Sequence, residues 1–445
     1  MGGECSNLAL LSNPCAVSQC VKEAELKQKT SSASPSIQLT LQMKEGTHYD
    51  GDSVSHVFAK VFVNPHTYTL KRHRNYKKNL QALRALYNES IIYSNVIMRL
   101  TWQNMCPFFS TVYSVGFNCK YKDVLQIIGN NIKKKISVKN ALQNSLGVDQ
   151  IEKLNLSYCV ILSEIHGPDS VKTKFLFLLD KKPITQTKNS WFRLMFQVAY
   201  GVEVLQLAGV AHNDLHGSNI LVDTFEEPYS LCLGFTTETT TTYYQFQTYN
   251  LARIFDFDRA SIVYLENPYV KTDQEIYSYR STVTESQDFL KLIVYLFNLL
   301  HKQKHMRNQK QKHMQDVYLV PLLEALLLDP EDRNVVLNNS KISSFLEPRL
   351  GYTLEFMSRL KPMREVVNAL ANLGNISMSN VKPLPQDKKE IFCYVSAAFF
   401  KNSVVKTATV QDTVLNAGPS LEQLRNLEAE LTMQQYDLQQ VSFSM

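Results

Sequence analysis

The stretch Gly209–Asp223, GVAHNDLHGSNILVD, constrains this chain more than any other. It follows Asn189–Leu207, where Phe192, Met195, Val198, Val202 and Leu205 recur at helical spacing. It runs into Ile220–Val222, a short apolar segment with strand composition. Helix, polar turn and strand in that order place His212, Asp214, His216 and Asn219 on one loop between two apolar elements. Carboxylate and amide oxygens are hard donors that suit a divalent cation, and a carboxylate can also take a proton. A second acidic group follows in Ile254–Ser261, IFDFDRAS, with Asp256 and Asp258 flanking Phe257.

The glycines narrow the options. There are 15 in 445 residues, no two are separated by a single residue, and none precedes Lys-Ser or Lys-Thr. This excludes a G-x-G-x-x-G dinucleotide fingerprint and a Walker A loop. The eight cysteines form no C-x-x-C pair and no Cys/His cluster, which predicts buried thiols in a reducing compartment. No run approaches the ~18 apolar residues of a membrane span. Net charge is only +6, but Ser53–Lys122 holds ten Lys/Arg against one acid, Glu89. That is a solvated basic face or a surface for a polyanion or an acidic partner.

Along the chain, residues 1–50 read as irregular. Val54–Val63 and Tyr158–Leu162 read as strands, and Asn75–Arg99 as a helix. Thr236–Tyr249, rich in Thr and Tyr, predicts a hairpin. Ser286–Leu300, Val317–Leu328 and Pro419–Gln440 predict helices, the last with a capping box from Ser420 and Gln423. His301–His313, HKQKHMRNQKQKH, reads as a solvated loop and gives no specific nucleic-acid signal. MGGECS fits a myristoylation pattern at Gly2, and only that modification would imply a membrane contact.

H-x-D-x-x-x-x-N at His212, Asp214 and Asn219, followed by D-F-D at Asp256–Asp258, resembles the protein-kinase superfamily. The resemblance implies that Asp214 orients or deprotonates an acceptor hydroxyl. It also implies that Asn219 and Asp256 hold Mg²⁺ or Mn²⁺, and that His212 and Phe257 pack. It further implies a strand lysine on the ATP phosphates, matched by Lys60, and a helix glutamate holding it, matched by Glu89. Asp288 resembles the aspartate that binds the catalytic-loop backbone, and LLLDPEDR (Leu326–Arg333) a segment near the end of kinase domains. The linker Ser163–Gly167, with Glu164 and His166, would receive adenine through its main chain.

The chain departs from the pattern at several points. Asn213 stands where an arginine is usual, which argues against switching by an activation-loop phosphate. His216 replaces a lysine and, when protonated, could still act in catalysis by donating to the γ-phosphate; Asp258 replaces a glycine, no A-P-E follows, and Asn219 and Asp256 are 37 positions apart. Within the superfamily the chain resembles the divergent serine/threonine kinases of large cytoplasmic DNA viruses, of the pox-, irido- and mimivirus type. The long insert and YQFQTYNLARIFDFDRA are similar to theirs. The loop and D-F-D alone also resemble the aminoglycoside and choline phosphotransferases.

The expected fold is α+β and bilobal. It comprises an irregular segment 1–50, a β-rich N-lobe 51–166, a helical C-lobe 167–345 and a helical extension 346–445. The expected activity is ATP-dependent phosphorylation of protein hydroxyls in the cytoplasm, which would be a host cell's cytoplasm or a virion if the chain is viral. A small-molecule phosphotransferase and a pseudokinase scaffold, motivated by the missing glycine-rich loop, are the alternatives.

Overall fold

The computed structural model describes residues 14–27, 35–49, 52–68, 75–128, 131–146, 150–180, 185–237, 239–262, 267–268, 286–303, 308–329, 331–333, 359–382 and 390–396. All lie within the compact unit Met1–Ala397. The architecture is α+β, with an antiparallel sheet region and helical portions. The expectations for Gly2 and for a helix over 419–440 fall outside the described residues.

Five strands form the first sheet: β1 (Val21–Leu26), β2 (Ser36–Met43), β5 (His56–Val63), β6 (Val112–Lys120) and β7 (Ser157–Ser163). Their order is β1-β2-β5-β7-β6, with β3 (His48–Tyr49) and β4 (Asp52–Ser53) forming a small hairpin between β2 and β5. The register sets Leu39 beside Ala59 and Leu41 beside Val57 on one face, and Gln38 beside Lys60 on the other. β5 is therefore a central strand, and Val57, Ala59, Val61 and Val63 are fully buried. Four helices attend this sheet: α1 (Tyr76–Ile92), α2 (Met98–Trp102), α3 (Tyr121–Ile127) and α4 (Ile132–Leu146). A π-helical turn, Tyr93–Ile97, joins α1 to α2.

The segment 1–50 is not irregular, because β1 and β2 are built from it. The alternation Ile37, Leu39, Leu41, Met43 is a period-two signal sufficient to find β2. β1, VKEAEL, is an edge strand with polar residues at three of six positions, which hides its pattern.

The cysteine expectation is also corrected. Cys15 is disulfide-bonded to Cys119, 104 residues away, and Cys20 is disulfide-bonded as well. Cys106, Cys159, Cys232 and Cys393 remain as buried thiols. A bond spanning 104 residues leaves no local spacing to read. It ties the 3-10 helix Pro14–Gln19 to β6, where a Cβ on Gly116 would lie 2.6 Å from Pro14 Cγ. Closing so long a loop contributes about 2–4 kcal/mol. Thermal unfolding in the presence of a phosphine reductant is therefore expected several degrees lower than without it. Identical midpoints would show that the bond does not form.

The helical portion comprises α5 (Val171–Asp180), α6 (Thr185–Leu207), α7 (Gln287–His301), α8 (Asn308–Met314), α9 (Val320–Leu326) and α10 (Met363–Leu373). Part of the run expected as a loop over His301–His313 is thus helical, in α8. α6 is the buried centre, with Phe192, Met195, Phe196, Val198 and Val202 fully buried. Short strands β8 (Val210–Ala211) and β11 (Ser261–Ile262) pair antiparallel. The long hairpin β9 (Ile220–Thr236) and β10 (Thr241–Ile254) carries β12 (Ser377–Ser379) on one edge and β13 (Glu390–Ser396) on the other. The Thr/Tyr-rich stretch expected to form a hairpin, Thr236–Tyr249, supplies only the turn and most of the second strand of this larger one.

The boundary expected at 345/346 does not separate the chain. α10 packs on α6, and β12 and β13 join the hairpin sheet, so the described residues between 359 and 396 belong to the same unit. α10 buries Met363, Val366, Val367, Leu370 and Ala371 on one stripe, which has no other core to enter.

No helix among the described residues is long and apolar enough to cross a membrane.

Candidate active site

Lys60 lies in the middle of β5 and is 9% exposed. A lysine cannot stay charged there without partners. α1 supplies one. Its buried face carries Leu83, Leu86 and Glu89, one helical turn apart, and Glu89 is only 1% exposed. Lys60 Nζ donates to Glu89 Oε2 at 2.6 Å and lies 3.6 Å from Asp256 Oδ1. Burial opposes the Lys60 charge, but Glu89, Asp256 and Asp258 outweigh it and raise its pKa. One ammonium cannot satisfy three carboxylates. Lys60 is therefore the charged member, while burial, helped by repulsion from Asp256 and Asp258, pushes Glu89 up to about 7.

The loop after α6 is held from below by α7. Asp288 is 4% exposed and accepts two backbone bonds, from His212 N–H at 2.7 Å and Asn213 N–H at 2.8 Å. Asn213 takes φ +63°, a left-handed conformation that asparagine tolerates better than most residues. Its carbonyl accepts from Lys291 Nζ at 2.7 Å. Its side-chain amide donates to Arg259 O at 3.1 Å and to Ser261 Oγ at 3.0 Å. The residue that departs from the usual arginine thus ties the loop directly to the segment after D-F-D. Asn219 Nδ2 donates to Asp214 O at 3.1 Å, which fixes the amide plane.

The 37 positions between Asn219 and Asp256 are spanned by the β9–β10 hairpin. Its register pairs Ile220 with Ile254, so the residues just outside both strands return side by side, and Phe255 N–H donates to Asn219 O at 3.2 Å. Asp256 has φ +67°, uncommon for a non-glycine residue. Its N–H donates to Tyr93 Oη at 3.1 Å, while the Tyr93 ring stands edge-on to Phe257. Phe257 is fully buried against the His212 ring, and His212 Nε2 lies 3.0 Å from Phe255 O.

Asp258, in the usual glycine position, adds a carboxylate to this cluster. Burial and then the nearby Asp256 charge push it up to about 6. Its folded pKa thus exceeds the unfolded value of 3.8, so the native state binds more protons between pH 4 and 6. Stability falls as pH rises through that window, and the full cost is present above it. Asp258→Asn is therefore expected to stabilise the protein by about 1–3 kcal/mol at pH 7.5 and by almost nothing at pH 4. Thermal unfolding at the two pH values checks this, and equal midpoints for both proteins at pH 7.5 contradict it.

Two cations or potential cations face Asp214. Arg259 Nε lies 3.7 Å and His216 Nε2 4.0 Å from Asp214 Oδ2. The His216 ring stacks on Tyr295, and its Nδ1 accepts from Ser218 N–H at 3.2 Å. Burial holds its pKa below the usual histidine value.

The expected linker begins where β7 ends. Glu164 N–H donates to Thr111 O at 2.9 Å and is occupied. The His166 side chain is 2% exposed and turns to Asp223, with Nδ1 at 3.1 Å. Asp223 also accepts from Arg253 Nε at 2.9 Å. The Glu164 carboxylate lies 3.8 Å from His166 Nε2, so both side chains are engaged with each other and with Asp223 rather than with the Lys60–Asp256 cluster. A cavity of about 650 Å³ lies at this end of the sheet, lined by Tyr49, His56, Trp102, Tyr113, Glu164 and Ile165 among others. It contains none of Lys60, Glu89, Asp214, Asn219 and Asp256.

Among the described residues no group of three or more His, Cys, Asp or Glu side chains could hold a metal by itself. Asn219 and Asp256 offer two oxygen donors on adjoining strand ends. Two such donors are fewer than a divalent cation requires, so further oxygens would have to come from elsewhere. The Asp256 side chain is 35% exposed and able to reach such a ligand.

The sequence reading missed Tyr93, Lys291, Ser261 and the Asn213–Arg259 tie. Tyr93 lies four residues after Glu89 on a continuous helical path, a spacing that places both toward one partner. No signal in the sequence locates the others. Neither a family model nor a curated protein matches the chain.

Proposed function

We propose that this chain is an ATP-dependent phosphotransferase of the protein-kinase type, acting on serine or threonine hydroxyls of proteins. The observation that carries the reading is a single cluster. Lys60 is paired with Glu89 and 3.6 Å from Asp256, and Asn219 and Asp214 lie on the loop that joins it. An α+β body with a sheet region and helical portions is compatible with two lobes around such a site.

Phosphoryl transfer asks little covalent chemistry of a protein and much positioning. Lys60 binds phosphate oxygens while Glu89 fixes its direction. Asn219 and Asp256 would hold a divalent cation, which would supply charge neutralisation on the phosphates. Asp214 accepts the proton of the attacking hydroxyl as its oxygen bonds to the γ-phosphorus and the bond to the ADP oxygen breaks. Asp288 keeps Asp214 in place through the backbone of His212 and Asn213. Adenine would be left the main-chain groups of Ile165–Gly167, which make no main-chain hydrogen bond among the described residues. Residues 28–34, between β1 and β2, contain no glycine, and they lie outside the described residues.

The test gives purified protein labelled ATP and Mg²⁺ with a protein panel. A separate reaction holds sugars, choline and aminoglycosides, and Asp214→Asn is run beside the unsubstituted protein. Label in protein that disappears with Asp214→Asn supports the proposal. Label in small molecules alone assigns the chain to the other phosphotransferase class. A thermal shift with Mg-ATP but no transfer to any acceptor makes it a pseudokinase.

A further inference from the structure

We infer that the cavity of about 650 Å³ where β7 ends is a binding site for a small methylated ammonium ion. This goes beyond the phosphotransferase reading and does not rest on it. The volume is that of a site for a whole small molecule. Its wall is gathered from Tyr49 in β3, Trp102 at the end of α2, Tyr113 in β6 and Glu164 just after β7. The charge on this wall is opposite to that of its surroundings. Ser53–Lys122 holds ten Lys/Arg against one acid, yet no lysine or arginine is among the lining residues. The acidic group on the wall is Glu164. Its side chain is 32% exposed, and its buried Oε2 accepts no hydrogen bond. His166 Nε2 stands 3.8 Å away, beyond hydrogen-bond reach, and the same ring is turned to Asp223 through Nδ1. A carboxylate in a partly enclosed cavity with no hydrogen-bonded partner favours a cation brought by a ligand.

The rest of the wall decides which kind of cation. Trp102 Nε1 is buried, so the indole shows the cavity carbon surface and no donor. The Tyr49 ring is inclined at 50° to Trp102, with centroids 6.2 Å apart, and at 66° to Tyr113, with centroids 4.6 Å apart. Aromatic faces attract a cation through the ring quadrupole, and that attraction needs no hydrogen bond, so it persists when the ammonium is fully methylated. A metal ion would require several hard oxygens, and this wall offers one carboxylate. The phosphates of a nucleotide would be repelled by Glu164 and would meet no lysine or arginine on the wall. The imidazole on the wall, His56, is exposed and has its Nδ1 3.1 Å from Ser55 Oγ.

The experiment titrates choline into the whole chain by calorimetry, with 3,3-dimethylbutan-1-ol as its uncharged isostere. Glu164→Gln, Trp102→Leu and Asp214→Asn are run beside the unsubstituted protein. Choline is expected to bind with a Kd of about 1 mM or tighter, and the isostere about tenfold more weakly. Glu164→Gln and Trp102→Leu are each expected to weaken choline binding about five- to tenfold, the range of one charge or cation–π contact. Asp214→Asn and an excess of Mg-ATP leave it unchanged, because the cavity contains no residue of the Lys60–Asp256 cluster. Glu164 Oε2 accepts no hydrogen bond, so Glu164→Gln keeps the thermal midpoint of the free protein, and choline raises that midpoint only where Glu164 is present. If Trp102→Leu does not fold, Glu164→Gln and the isostere decide the matter. The proposal is overturned if the isostere binds as tightly as choline, or if Glu164→Gln leaves the affinity unchanged. It is equally overturned if Asp214→Asn or Mg-ATP abolishes binding, or if no choline binds at about 20 mM. No phosphate transfer is read, so this result and the phosphotransferase result stand or fall separately.

Discussion

Asp256→Asn is expected to lower phosphate transfer about 10³-fold without lowering stability. The Asp256 carboxylate sits 3.6 Å from Lys60, and the residue before it, Phe255, is bonded to Asn219 O, which is where a cation and the ATP phosphates would meet. Exchanging it for an amide removes one negative charge and leaves the shape. Loss of one such electrostatic contact costs about 3–4 kcal/mol of transition-state stabilisation, and a cation ligand lies at the upper end. The same exchange removes repulsion from Asp258, whose pKa that charge helps to push up. The backbone bond to Tyr93 uses the main-chain N–H and survives. An inactive protein with an unchanged or higher thermal midpoint is the expected pair of results. Transfer within tenfold of the unsubstituted protein would remove Asp256 from the chemistry.

Asp288→Ala is expected to be the most damaging single change to the fold around the site. It leaves His212 N–H and Asn213 N–H without acceptors in a region where Asp288 itself is 4% exposed. Each orphaned buried donor costs about 1–3 kcal/mol, and the lost bonds were charge-assisted, so a total of about 3–5 kcal/mol follows. Lys291, bonded to the Asn213 carbonyl, then holds a loop with nothing beneath it. Urea unfolding should show a lower midpoint at unchanged slope, and any residual transfer should fall in parallel. Asp288→Asn keeps an acceptor and should fall between the two, which gives a measurable protein if the alanine form does not fold. A stability loss under 1 kcal/mol for Asp288→Ala would mean that the loop is held elsewhere.

The residues that the structure gathers were legible as types before their geometry was known. Asp214 and Asn219 lie on one loop, Asp256 opens the next motif, and Lys60 and Glu89 stood out as a mid-strand lysine and a lone acid in a basic stretch. A lysine within a strand can also face water from a sheet edge; β5 instead lies between β2 and β7, which leaves Lys60 only 9% exposed. The Glu89 carboxylate faces the sheet and not the exposed side of its helix, and it meets the buried Lys60 ammonium at 2.6 Å.

Other features had no local trace. The Cys15–Cys119 bond joins two segments by their meeting in space, and spacing rules for cysteines see only nearby pairs. The residues beyond 345 read as an appendage, and β12 has only three residues, exposed at every position. Their place in the hairpin sheet comes from backbone pairing with β9 and β10, which side-chain patterns do not report. Asn213 read as a loss, since it lacks the charge of an arginine. In the folded chain its amide ties the loop directly to Arg259 and Ser261, and its left-handed backbone suits an asparagine.

By itself the sequence determined which chemical groups this protein has to work with and those helices and strands whose apolar pattern is regular, such as α6 and β5. Both depend on residue type and on contacts a few positions apart. The tertiary structure alone decided which of those groups share a site and in what charge state. The 37 positions from Asn219 to Asp256 became adjacent only through the register of a long hairpin. The crowding of Glu89, Asp256 and Asp258 around one ammonium came only from burial on a central strand. Charge interactions depend on distance and on the exclusion of water, and neither is a property of sequence separation.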